Sequence, residues 1–107
     1  MKVEVLYVMD CPTHPAAVRL VKDVLAAESI VAEIREVLVS DEQMATTLGF
    51  PGSPTIRVNG RDVVGEPKTA ANASFCCRLY RGSEEIGLPP KDIVRKAVLE
   101  AHQENRL

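Results

Sequence analysis

Tryptophan is absent from this chain, and Tyr7, Tyr80, Phe50 and Phe75 are its only Phe or Tyr rings. The core must therefore be built from Val, Leu, Ile and Ala. No apolar run approaches the ~20 residues that span a bilayer. Charges break the longest apolar patterns, as in Val18-Arg19-Leu20-Val21-Lys22-Asp23. There is no basic run, and the formal net charge is −2. The electrostatic footprint of a nucleic-acid binder is therefore missing. Met1-Lys2-Val3-Glu4-Val5 lacks the apolar region and small-residue cleavage site of a signal peptide, and reads instead as a strand. The expectation is a cytoplasmic protein with neither nucleic acid nor membrane as a partner, in a compartment where thiols stay mostly reduced. Cysteine is sparse as well. Three residues, an odd number, argue against a fixed disulfide framework and for reactive, redox or metal-binding thiols.

What remains is an ordinary globular balance, 46% apolar and 26% charged, over 107 residues, enough for a single domain spanning 1–107. Val3 to Val8 alternates and is rich in β-branched residues, which predicts a first strand. From Ala16 to Glu28, Ala17, Leu20, Val21, Val24 and Leu25 fall on one helical face. That helix starts either with Cys11 as cap and Pro12 following, or with Thr13 as cap and Pro15 in the first turn. Ala32 to Val39 reads as a second strand. Ser40 with Gln43 forms a capping box for a short second helix that ends at Gly49. Asn59-Gly60 between Thr55–Val58 and Arg61–Val64 is a strong hairpin signal. A last helix starts near Pro90, with Ile93, Val94, Ala97, Val98 and Ala101 inward, and 102–107 reads as a frayed tail. Residues 65–87 form a long stretch of poor periodicity, a length that usually carries function or disorder. The order β-α-β-α-β-β-α makes a four-stranded mixed sheet with helices on both faces.

Chemistry concentrates in two short pieces. Asp10-Cys11-Pro12-Thr13-His14 puts a thiol just before the first helix, where N–H groups and the helix dipole favour its anion. His14, one turn in, is placed to pair with that thiolate or relay a proton, or else is a solvated first-turn side chain. Asp10 opposes ionisation, since a nearby negative charge raises a thiol pKa. A small buried apolar role is the plain alternative for Cys11. The second piece, Gly52-Ser53-Pro54-Thr55, precedes a strand. His102 reads as a surface side chain, and Tyr7 and Met9 as residues packing the sheet.

In this order the sequence resembles thioredoxin-like and glutaredoxin-like proteins: a strand, Cys11-Pro12-Thr13-His14, a helix, and later Ser53-Pro54-Thr55 before a hairpin. That resemblance implies the minimal thioredoxin-like fold, with Cys11 as nucleophile and Pro54 as a cis-proline that turns the Ser53 backbone toward it. Pro12, Ser53, Pro54 and Thr55 then stand in substrate-facing positions. His14 occupies the place of the resolving cysteine found in dithiol members, which implies a monothiol-type site. Over nearly its full length the chain also resembles small bacterial thioredoxin-like proteins. These share a Gly-Ser-Pro-Thr step, an Asn-Gly or Asp-Gly hairpin and a Cys-Arg-Leu-Tyr segment, here Cys77 to Tyr80, before Pro89-Pro90. Some carry the label alkylmercury lyase, which hints at soft-metal detoxification.

The expected activity is thiol–disulfide exchange through a mixed disulfide on Cys11, with His14 tuning the sulfur. No resident cofactor is expected; glutathione is a candidate co-substrate, and protein or small-molecule thiols and disulfides are the candidate partners. For Cys76 and Cys77 three readings stay open. One of them, Cys77 above all, resolves the mixed disulfide; or Cys11, Cys76 and Cys77 together hold a soft metal ion; or one cysteine is core filler and the other exposed. Lys68, Arg78 and Arg81 form either a site for an anionic carboxylate or a solvated loop. Two non-enzymatic alternatives remain: a soft-metal binding or sensing protein, and a non-catalytic thioredoxin-like module.

Overall fold

The computed structural model describes residues 1–65, 78 and 87–104. Among the described residues, four strands and three helices follow in the order β1 (Lys2–Tyr7), α1 (His14–Ala27), β2 (Glu33–Leu38), α2 (Glu42–Leu48), β3 (Thr55–Val58), β4 (Arg61–Asp62) and α3 (Lys91–Glu104). The sheet order is β2-β1-β3-β4. β1 runs parallel to β2, from Lys2 opposite Glu33 to Tyr7 opposite Leu38. β3 is antiparallel to both β1 and β4. The molecule is thus α/β with a mixed four-stranded sheet.

Strand alternation sorts the side chains to two faces. Val3, Val5, Ile56 and Val58 point to one face, where they meet Ala17, Val18, Val21, Val24 and Leu25 of α1 and Val94, Val98 and Ala101 of α3. Leu6 points to the other face, where it packs with Val39, Ala45 and Phe50, flanked by Met44 and Leu48 of α2. α1 and α3 therefore cover one face, and the short α2 covers the β2–β1 end of the other.

Local chemistry moves several predicted boundaries. The N-cap of α2 is Asp41 rather than Ser40. Its backbone is extended and its carboxylate accepts the Met44 N–H at 2.7 Å. A carboxylate is the stronger acceptor there, and the Ser40 hydroxyl lies instead 3.7 Å from Met44 Sδ. Gly49 ends α2 in the left-handed region at φ 58, as expected. Asn59 and Gly60 both have positive φ, 50 and 83, the backbone that a two-residue hairpin turn demands. β4 is only two residues long, because Asp62 Oδ1 accepts the Val64 N–H at 2.9 Å and folds the chain into a turn. α3 does not fray at His102, which is half-buried; it continues to Glu104, whose carboxylate pairs with Arg61 at 2.9 Å. Residues 105–107 lie outside the described residues.

Replacing Asp41 with Ala should destabilise the protein by about 1 kcal/mol, the usual cost of a lost N-cap. Ile56→Ala, at a position with no solvent exposure, should cost about 2–5 kcal/mol. Urea denaturation of each variant checks both values, and their order.

Candidate functional site

Cys11 lies in the turn that carries the chain from β1 into α1. Its N–H donates to the Val8 carbonyl at 3.3 Å, and its own carbonyl accepts from the His14 N–H at 3.3 Å. Asp10, exposed at the tip, takes φ 61, a left-handed conformation that aspartate tolerates better than most residues. Thr13 is the N-cap of α1, with Pro15 in the first turn. Its hydroxyl makes no capping bond to the helix; it sits 3.5 Å from Cys11 Sγ. Gly87 holds it from behind: a Cβ at Gly87 would come within 3.0 Å of Thr13 Oγ1. Only a residue without a side chain lets the approach to α3 press this close against the threonine.

The Gly52–Thr55 step faces the same sulfur from across the sheet. The Ser53–Pro54 bond is cis, as the resemblance implied. Ser53 Oγ accepts the Val8 N–H at 3.1 Å. With that lone pair engaged, the hydroxyl proton is free to be donated, and Ser53 is among the groups that lower the Cys11 pKa. Thr55 Oγ1 donates to the Gly52 carbonyl at 2.5 Å and accepts from Arg78 Nη1 at 3.2 Å.

Burial pushes the Cys11 thiol up. Hydrogen bonds from the Ser53 and Thr13 hydroxyls and from the Thr13 and His14 backbone N–H groups more than offset it, and the net pKa is lowered. The side-chain hydroxyls lead that effect, and the helix-start N–H groups, to which the sequence reading gives the main part, come after them.

The structure revises the place of His14. Its contribution to the sulfur is its backbone N–H. Its ring stacks on Tyr7, with centroids 3.6 Å apart and planes within 2°. Nε2 lies 2.7 Å from Glu36 Oε1 on β2, without the alignment of a hydrogen bond. Tyr7 serves as that stacking platform, whereas Met9 is 71% exposed rather than packed into the sheet.

Arg78 is neither a solvated loop residue nor an open anion site. It is 7% exposed. Its guanidinium grips Asp62 through Nη1–Oδ2 at 2.6 Å and Nη2–Oδ1 at 3.2 Å. Its backbone N–H donates to the Ser53 carbonyl at 2.9 Å. Sequence reasoning missed Asp62 as its partner. A second buried arginine, Arg57, donates from Nη2 to the Leu48 and Gly49 carbonyls at 2.9 and 3.2 Å, closing the C-terminus of α2. Burial lowers its pKa.

Cys76, Cys77, Lys68 and Arg81 lie outside the described residues. Among the described residues, no group of three or more His, Cys, Asp or Glu could hold a metal ion, and no helix is long and apolar enough to cross a membrane. No protein-family model, curated protein or solved structure matches the chain.

Because the shift is downward, the pH profile of Cys11 alkylation should have its midpoint below that of a free cysteine, ~8.5. Ser53→Ala removes a donor to the anion and should move that midpoint up and slow alkylation at neutral pH. The same linkage reaches stability. A thiol whose folded pKa lies below its unfolded value stabilises the fold fully above the unfolded pKa, and loses that contribution as pH falls through the folded one. The reduced protein should gain stability across that window as pH rises, and Cys11→Ser should abolish the gain in urea titrations run at several pH values.

Proposed function

We propose that the protein is a thioredoxin-like thiol–disulfide oxidoreductase of monothiol type, acting through a mixed disulfide on Cys11. One observation carries the reading: the Cys11 sulfur accepts hydrogen bonds from Ser53 and Thr13 and has its pKa lowered by them. A structural cysteine needs no such arrangement, whereas a nucleophile does. The sheet order, the helices on its two faces and the cis Ser53–Pro54 step beside the thiol agree with the minimal thioredoxin arrangement. A thiol chemistry of this kind suits a reducing compartment, and we assign the protein to the cytoplasm.

The reaction begins with in-line attack of the Cys11 thiolate on one sulfur of a disulfide. The new S–S bond forms as the old one breaks, and the leaving thiolate takes up a proton from solvent. A second thiol then attacks the mixed disulfide and releases Cys11. An external low-molecular-weight thiol such as glutathione supplies that second equivalent, or a cysteine of the chain does, Cys77 before Cys76. Ser53 and Thr13 stabilise the sulfur anion both before attack and on release. His14 acts through its main chain, and its ring and Tyr7 hold the first turn of α1 against β1 and β2.

Cys11→Ser should eliminate turnover of glutathione disulfide or of a small mixed disulfide. Peptide mapping of the wild type after exposure to glutathione disulfide should place the adduct on Cys11. Unchanged turnover in the variant would overturn the reading.

A further inference from the structure

We propose that Arg78 makes this thiol selective for small disulfides over extended polypeptide disulfides, an inference that rests on the oxidoreductase reading above. An extended peptide is usually oriented by pairing its main chain with an exposed strand edge. Outside the Cys11 turn itself, the main chain that borders the thiol is Gly52–Ser53: the Ser53 hydroxyl accepts the Val8 N–H at 3.1 Å, and the Val8 carbonyl accepts the Cys11 N–H at 3.3 Å. That stretch of main chain is already taken. The Ser53 carbonyl accepts the Arg78 N–H at 2.9 Å. Gly52, at φ 136, lies so close to the Arg78 main chain that a Cβ there would sit 2.9 Å from Arg78 Cβ and 3.1 Å from its Cα. Arg78 thus occupies the place an incoming peptide backbone would need.

Arg78 is also held against displacement. Its guanidinium makes two bonds to Asp62, whose side chain is 1% exposed, and a third to Thr55 Oγ1 at 3.2 Å. Pulling it out would leave a buried carboxylate unpaired. Cys11 itself is only 9% exposed. A small disulfide needs no main-chain pairing, only a path for in-line approach to the sulfur. The electron count is that of ordinary exchange: one small disulfide is reduced to two thiols while two equivalents of a low-molecular-weight thiol are oxidised to its disulfide.

The test compares two reagents with the full-length reduced protein. One is bis(2-hydroxyethyl) disulfide. The other is an unstructured ten-residue peptide whose single cysteine is capped as its mercaptoethanol mixed disulfide. Each rate of adduct formation on Cys11, located by peptide mapping, is normalised to the rate of the same reagent with free glutathione. The wild type should react with the peptide at least tenfold more slowly. Asp62→Asn, which loosens the grip on Arg78, should narrow that gap. If Asp62→Asn does not fold by circular dichroism, Arg78→Lys carries the same expectation. Equal normalised rates in the wild type, or an unchanged gap in a folded variant, would overturn the selectivity while leaving the oxidoreductase reading intact. Failure of both reagents to modify Cys11 would overturn that reading, and the inference with it.

Discussion

A serine hydroxyl has one proton and two lone pairs, and at Ser53 their directions decide the character of the site. The residue is 1% exposed, so water does not compete for it. Because its oxygen accepts the Val8 N–H, the loop leaving β1 and the step entering β3 are joined at the point where each would otherwise be free to part. The proton that remains is free to be donated, and Ser53 lowers the pKa of Cys11. An apolar residue at this position would leave the Val8 amide without that partner and the sulfur with less reason to ionise, so structure and reactivity share one atom.

The neighbours of Ser53 extend that constraint outward. Thr55 ties back to the Gly52 carbonyl and receives Arg78, which in turn clasps Asp62 at the end of β4. On the far side of the thiol, Thr13 is pressed by Gly87 from the approach to α3. The turn that holds the sulfur is therefore where three segments meet: the end of β1, the entry to β3 and the entry to α3. Buried hydrogen bonds in such a network are worth more than they would be in water, which suits a group that must be held in one geometry.

Much of the fold was legible because it rests on local patterns. The apolar stripes of α1 and α3, the alternation of β1, Gly49 and Asn59-Gly60 are all signals carried within a few residues. The thiol at a helix start and the cis-proline step belong to the same class. What escaped notice depends on pairing across the chain. Nothing near Arg78 announces that Asp62, 16 residues earlier, will neutralise it. His14 looked like a partner for the thiol because the two are close in sequence. Its ring is instead captured by Tyr7 and brought to Glu36, an arrangement that depends on the parallel register of β1 and β2. The Asp41 cap was missed for a smaller reason: two adjacent residues were both capable of capping, and the better acceptor prevailed.

Among the described residues, β2 lies at one border of the sheet and pairs with β1 alone. Such a border is a standing invitation to any extended chain, including another copy of the same protein. Here Glu33, Arg35 and Glu36 are all exposed along six residues, and Arg35 Nε already pairs with Glu33 at 2.8 Å. A newcomer adding itself there would have to strip water from charges that gain nothing in return. The strand carries its own guard against stacking into ribbons, built from side chains that take no part in the Cys11 turn.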